Sequence, residues 1–126
     1  MKSNSLYVNI NSEQPEKLIA FYRDVIGLPM NPDMGPGAFD AGGAIIGIDG
    51  HSEVHGSAKE PGRILIDLFV DDVVGERERL EAHGVTFIRK EGVEEWGGVI
   101  STFPDPDGNY VQLIRFNPPA VEATNG

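Results

Sequence analysis

The chain contains no cysteine, which excludes disulfides, thiolate metal ligands and cysteine nucleophiles together. Its 10 lysine and arginine residues are outnumbered by 20 aspartate and glutamate residues, giving a formal net charge of −10. Because binding to a nucleic-acid backbone needs clustered positive charge, we predict no nucleic-acid partner. No apolar run approaches the ~20 residues that cross a membrane, and residues 1–10 hold no apolar stretch typical of a signal peptide. These absences predict a cytoplasmic protein with no membrane partner.

The length and composition are those of one ordinary globular domain. The chain has 126 residues, of which 40% are hydrophobic and 24% are charged. Two independent domains would each have a core of marginal size, so we predict a single domain over residues 1–126.

A strand followed by a helix occurs twice at a spacing of about 57 residues. Residues 6–11 alternate partly between apolar and polar side chains, which predicts a strand, and an apolar stripe at helical spacing then leads to Gly27. Residues 64–70 predict a second strand, and the helix after it leads to Gly84. A glycine directly after the last helical residue is a common helix stop.

Further strands are predicted after each helix. After the first helix, proline and glycine break up residues 28–39, and a strand is predicted at residues 44–48. After the second helix, strands are predicted at residues 85–89, 96–103 and 110–116. The sequence therefore predicts an α+β fold of two strand-helix-strand-strand-strand modules, the first over about residues 5–50 and the second over about residues 63–116.

Two segments carry a family resemblance. Residues 21–28 (FYRDVIGL), after the first strand, and residues 105–113 (DPDGNYVQL), near the end, resemble the vicinal oxygen chelate superfamily. This superfamily includes glyoxalase I, the bleomycin-resistance proteins and the extradiol dioxygenases. The resemblance spans about residues 5–116. It implies paired βαβββ modules whose curved mixed sheets surround a cavity, and a homodimer.

The resemblance also implies where a metal would be bound. Enzymes of this superfamily hold a divalent metal such as Mn, Ni, Zn or Fe with His, Glu or Gln side chains on four strands. The matching positions here are Tyr7, Gly47, Leu65 and Gln112. Only Gln112 offers a donor of the usual kind, and catalytic metal sites generally need about three protein ligands. Moving any strand by one residue supplies no better donor, so we expect no metal cofactor.

Strand alternation gives the side chains expected to line the cavity. Asp67 is the most unusual of them, because it interrupts an otherwise apolar strand. It either bonds an internal partner or meets a ligand, with a pKa raised by desolvation. Trp96 either forms part of a stacking wall for a planar ligand or covers the core. The predicted wall consists of Tyr7, Asn9, Gly47, Asp49, Leu65, Asp67, Phe69, Trp96, Tyr110 and Gln112.

Two functions compete at this point. The first is a metal-free binding protein, similar to the bleomycin-resistance branch, that sequesters a small cationic or aromatic compound. The second is a glyoxalase-type lyase, isomerase or dioxygenase with a rearranged metal site built from Gln112 and Asp67, Asp49 or a loop histidine. A ligand that regulates a partner protein is a third reading. The catalytic residues and the identity of the ligand are not specified by the sequence.

Overall fold

The computed structural model describes residues 1–116, and residues 117–126 of the predicted domain lie outside the described residues. The chain divides into two compact units, residues 1–58 and a second unit that begins at Lys59. The first unit contains β1 (Leu6–Ser12), α1 (Pro15–Ala20), a π-helical segment (Phe21–Ile26), a 3₁₀ turn (Pro32–Met34), β2 (Ala38–Ala41) and β3 (Ala44–Gly50).

The sheet of the first unit has the order β1-β3-β2. Strands β1 and β3 run parallel, and β2 runs antiparallel to β3. The strand predicted directly after the first helix is reduced to a single bridge between Met30 and Phe39. Pro29 and Pro32 flank Met30, and a proline has no N–H with which to extend a ladder of hydrogen bonds. The first module therefore has three strands and one bridge.

The helical part of the first unit begins and ends as its sequence requires. The Ser12 hydroxyl accepts a hydrogen bond from the Gln14 amide at 2.9 Å, directly before the proline that opens α1. After Ala20 the backbone continues as a π-helix and ends at Gly27, which has a φ of 86°. A left-handed φ of this kind favours glycine. The fully buried side chains of Leu18 and Tyr22 form the helical part of the core.

The second unit forms a four-stranded sheet with the order β4-β7-β6-β5. Strands β4 and β7 run parallel, and the other neighbours are antiparallel. This is the predicted strand-helix-strand-strand-strand module. Its elements are β4 (Ile66–Phe69), α2 (Val73–Ala82), β5 (Arg89–Val93), β6 (Val99–Pro104) and β7 (Tyr110–Arg115).

Three strands of the second unit are shorter or later than the sequence predicts. Leu65 lies before β4, and β5 begins only at Arg89. Trp96 lies in a turn before β6, closed by hydrogen bonds between Glu94 and the backbone of Gly97 and Gly98. The late start of β6 is explained by the left-handed φ of 89° at Gly97, which reverses the chain where the sequence predicts extended backbone.

One face of the second sheet is covered by α2. The Asp72 carboxylate caps this helix by accepting a hydrogen bond from the Gly75 amide at 2.9 Å. Leu80 of the helix is buried, as are Val111 and Leu113 of β7. Because side chains alternate along a strand, the residues between these point to the opposite face. Within residues 1–116, no helix is both long and apolar enough to cross a membrane.

Replacement by alanine should have opposite effects on stability at two buried serines, Ser101 and Ser12. The Ser101 hydroxyl in β6 is buried without a hydrogen-bond partner among the described residues, whereas the equally buried Ser12 hydroxyl caps Gln14. Ser101→Ala should raise the free energy of unfolding by about 1 kcal/mol, and Ser12→Ala should lower it by about 1 kcal/mol. Urea unfolding of both variants measures this, and a destabilised Ser101→Ala variant would show that its hydroxyl has a partner.

Candidate functional site

A row of polar side chains crosses the face of the second sheet that α2 does not cover. Asp67 of β4 is the Cα partner of Gln112 in β7, and Gln112 is the Cα partner of Thr102 in β6. The Gln112 amide donates a hydrogen bond to the Thr102 hydroxyl at 3.1 Å. Thr102 is buried, Gln112 is half-buried and Asp67 is exposed. We call these three residues the polar row, and its exposed end is a carboxylate.

Asp67 has no hydrogen-bond or ion-pair partner among residues 1–116. Desolvation by the surrounding protein raises the pKa of its carboxyl above the ordinary value of 3.8, although part of the side chain is exposed. The sequence allowed two roles for Asp67, a bond to an internal partner or a contact with a ligand. The described residues supply no internal partner. The carboxylate is therefore available to a ligand.

Three exposed aromatic rings lie at the end of the same sheet. Phe69 follows Asp67 by two positions, so both side chains leave β4 on the same face. Its ring stacks on that of Phe116, with centroids 5.7 Å apart and an angle of 12° between the planes. The Phe116 ring also contacts the Trp96 ring, with centroids 5.0 Å apart and an angle of 50° between the planes, so this second pair is tilted rather than parallel. We call these residues the aromatic stack, and their exposed fractions are 60% for Phe69, 64% for Phe116 and 47% for Trp96.

The opposite end of the polar row carries a positive charge that is already paired. Arg89 of β5 is the Cα partner of Thr102, and its guanidinium donates a 2.6 Å hydrogen bond to Glu94. Tyr110, another member of the predicted wall, is half-buried at the start of β7. Among the residues that the structure describes, the charge without a partner on this face is thus the negative charge of Asp67, next to the aromatic stack.

In the first unit, the predicted wall residues share one face of the sheet. Asn9 and Gly47 are Cα partners, and Tyr7 and Asp49 lie two positions from them on the same strands. The Tyr7 ring lies directly over the bare Cα of Gly47, where a methyl group would overlap its phenol. Tyr7 is 39% exposed, so the outer part of its ring is open to a ligand.

The residues at the four positions implied for a metal do not fit a divalent ion. Gly47 has no side chain and its position is covered by the Tyr7 phenol, a poor ligand unless deprotonated. Leu65 has no donor atom, which leaves Gln112 alone. Within residues 1–116, no three His, Cys, Asp or Glu side chains are grouped as a metal ligand set.

The structure brings together only part of the predicted wall. Asp67, Phe69 and Gln112 meet on the second sheet, and Trp96 joins Phe69 through Phe116. Thr102 and Phe116 were missed by the sequence analysis. Phe116 shares the alternation of Gln112 along β7 and could have been found, whereas Thr102 is identified only by the register of β6 against β7.

A model of the Glyoxalase/Bleomycin resistance protein/Dioxygenase superfamily matches residues 5–113, which is most of the chain. The chain belongs to this superfamily, and the predicted resemblance is confirmed. No curated protein matches the chain.

Solved structures with the same fold come from several bacteria. A glyoxalase/bleomycin resistance protein/dioxygenase family enzyme from Burkholderia phytofirmans has a TM-score of 0.71 and 22% identity, over 87% of this chain and 96% of that one. A lactoylglutathione lyase from Agrobacterium tumefaciens has a TM-score of 0.70 and 23% identity, over 90% and 94%. A superfamily member from Sphaerobacter thermophilus has a TM-score of 0.70 and 19% identity, over 91% and 98%. At these identities the likeness shows the α+β fold alone.

The raised pKa of Asp67 predicts a pH-dependent effect on stability. At neutral pH the carboxyl is charged in both the folded and the unfolded state, and desolvation makes the charge less favourable in the folded one. Asp67→Asn should therefore be more stable than the wild type at pH 7. The difference should shrink as the pH falls through the raised folded pKa towards the ordinary value of 3.8. Thermal unfolding between pH 7 and pH 3.5 measures this.

The control for that experiment is Asp33→Asn, in the exposed 3₁₀ turn of the first unit. It removes the same single negative charge from a chain whose net charge is −10, so it reports the relief of general repulsion. If Asp67→Asn were less stable than Asp33→Asn at pH 7, Asp67 would have a stabilising partner and would not be available to a ligand.

Proposed function

We propose that this protein binds and sequesters a small cationic or aromatic compound, without a metal, on the open face of the second sheet. The observation that carries the proposal is the carboxylate of Asp67, unpaired within residues 1–116 and adjacent in β4 to a stack of three half-exposed rings. Exposed rings beside a few fixed polar groups are typical of a small-molecule site.

The chemistry of the face favours a positively charged ligand. A cation would pair with Asp67, and its ring or its charge would lie against the aromatic stack, where the ring quadrupole is attractive. The Gln112–Thr102 pair offers hydrogen-bonding groups next to the carboxylate. The net charge of −10 speeds the capture of a cation, and salt weakens that attraction. An antibiotic is one kind of compound with this chemistry.

The proposal extends to the rest of the predicted wall and to the assembly. Tyr110 and Leu65 are proposed contacts near the polar row. Taken by itself, the first sheet has its own predicted ligand contacts, Tyr7, Asn9, Gly47 and Asp49, and the Tyr7 phenol offers a ring and a hydroxyl. A homodimer is proposed from membership of the superfamily, and sedimentation equilibrium measures it.

A matched set of probes tests the binding function. We expect 10-methylacridinium, a planar cation, to bind wild-type protein, neutral acridine to bind more weakly and 9-anthracenecarboxylate not to bind. Asp67→Asn should weaken the binding of 10-methylacridinium about twofold to fivefold, as expected for a partly exposed charge pair. Asp33→Asn, with the same change in net charge, should leave it nearly unchanged. Isothermal titration calorimetry at low and high salt gives the affinities.

The pH dependence of the same binding follows from Asp67. Protonation removes the charge that the cation needs, so the affinity should fall as the pH decreases, beginning at a higher pH than for an ordinary aspartate. The proposal is wrong if a broad panel of cationic and aromatic probes shows no binding, or if acridine and its N-methyl cation bind wild type and Asp67→Asn alike.

A second candidate function is supported by the pairing of Asp67 with Gln112. Their side chains leave neighbouring strands at the same level and supply two oxygen donors, which suit a hard ion such as Mg²⁺ or Mn²⁺. This arrangement favours the glyoxalase-type enzyme with a rearranged metal site, which would need at least one further ligand besides Asp67 and Gln112.

Metal content separates the two candidates. Under the binding proposal, tag-free protein incubated with Mn, Ni, Zn or Fe(II) should retain no stoichiometric metal in elemental mass spectrometry. Near-stoichiometric retention that is abolished by Gln112→Ala, and not by the control Gln14→Ala in the first unit, would establish the enzyme candidate and overturn the metal-free site.

A further inference from the structure

The Trp96 ring is held from both sides. On one side its six-membered ring lies over the bare Cα of Gly98, where any methyl group would overlap the ring. On the other side it contacts Phe116, with centroids 5.0 Å apart. Gly98 is buried, and its φ is not among the left-handed values of the chain. The absence of a side chain at Gly98 is therefore required by the ring rather than by the backbone.

The turn that carries Trp96 is itself fixed. The Glu94 amide donates to the Gly98 carbonyl and the Gly97 amide donates to the Glu94 carbonyl, both at 2.8 Å. Glu94 is in turn bonded to Arg89 of β5. Hydrogen bonds therefore fix the backbone both before Trp96, at Glu94, and after it, at Gly97 and Gly98. Gly98, Trp96, Phe116 and Phe69 thus form one continuous series of contacts, from the backbone just before β6 to the ring of Phe69 on β4.

We propose that Gly98 is a specificity-determining residue, which positions Trp96 so that the aromatic stack selects planar cations over non-planar ones. The inference rests on the proposed function, since it concerns the ligand of the same face. A ring stack held in place before binding loses little conformational freedom when a flat ligand is added to it. An ammonium group on an aliphatic chain would pair with Asp67 but would gain little from the stack.

Substitution of Gly98 should act through Trp96. Gly98→Ala should displace the indole, change the emission of this single tryptophan without any ligand, and weaken 10-methylacridinium about threefold to tenfold. Its affinity for tetramethylammonium, which is cationic but not planar, should stay as in wild type. The control is Gly62→Ala in the same unit, where an added methyl group meets nothing. It should leave the emission and both affinities unchanged.

A double-mutant cycle separates positioning from general damage to the fold. If Gly98 acts by supporting the indole, then Gly98→Ala made in the Trp96→Ala background should cost no further affinity for 10-methylacridinium. Equal losses in the presence and absence of Trp96 would overturn the proposal. Thermal unfolding of all four proteins reports their stability independently of binding.

A second variant leaves the turn before β6 unchanged and tests the contact of Trp96 with the rest of the aromatic stack. Phe116→Leu removes the opposite side of the Trp96 contact and keeps a residue of similar size, so it serves if Gly98→Ala does not fold. It should change the Trp96 emission and reduce the preference for 10-methylacridinium over tetramethylammonium. An unchanged preference would contradict the inference.

The outcomes distinguish this inference from the proposed function. If wild type binds 10-methylacridinium and Asp67→Asn weakens it, but Gly98→Ala and Phe116→Leu do not, the inference alone is wrong. If wild type binds none of the probes, the proposed function is wrong and the inference with it. If Trp96→Ala converts a dimer to a monomer in sedimentation and leaves probe binding intact, the aromatic stack is a contact between copies, which also overturns the inference.

Discussion

The parallel pairing of the first and last strands in each unit is the constraint on which the structure depends. Strands β1 and β3, and likewise β4 and β7, can run parallel only if the chain crosses from one end of the sheet to the other between them. That crossing is made by α1 or α2, which buries one face. The opposite face of the second sheet carries the polar row and the aromatic stack, together with Ile100 and Ile114.

Much of the fold could be predicted because its signals are local. Gly27 and Gly84 have the left-handed φ values that a helix stop predicts, and Asp72 caps α2 as its position suggests. The reduction of one strand to a bridge at Met30 was not predicted as such, since proline spacing indicates a broken segment without telling which single contact survives. The sequence analysis assigned Trp96 to a strand. A glycine can adopt either an extended or a left-handed φ, and the sequence does not indicate that Gly97 has the left-handed one.

The candidate site was predicted less completely because it depends on register. Alternation placed Asp67, Phe69 and Gln112 on one face correctly. The hydrogen bond from Gln112 to Thr102 depends on how β6 is aligned with β7, and a one-residue shift would move Thr102 to the other face. Leu65 was assigned to the wall by family position, but it lies before β4. The overlap of Trp96 with Gly98 is a contact between side chain and backbone, which no periodicity encodes.

The single bridge at Met30 also bears on how the protein behaves when it is crowded. An outer strand with open N–H and C=O groups is a template for pairing with another chain, and proteins protect such edges with prolines or charges. Pro29 and Pro32 interrupt one of the two edges of the first sheet, beside β2, and β5, one of the two outer strands of the second sheet, begins with the charged residues Arg89, Lys90 and Glu91. These two edges are thereby protected against sheet-to-sheet aggregation, by two different devices in the two halves of one chain.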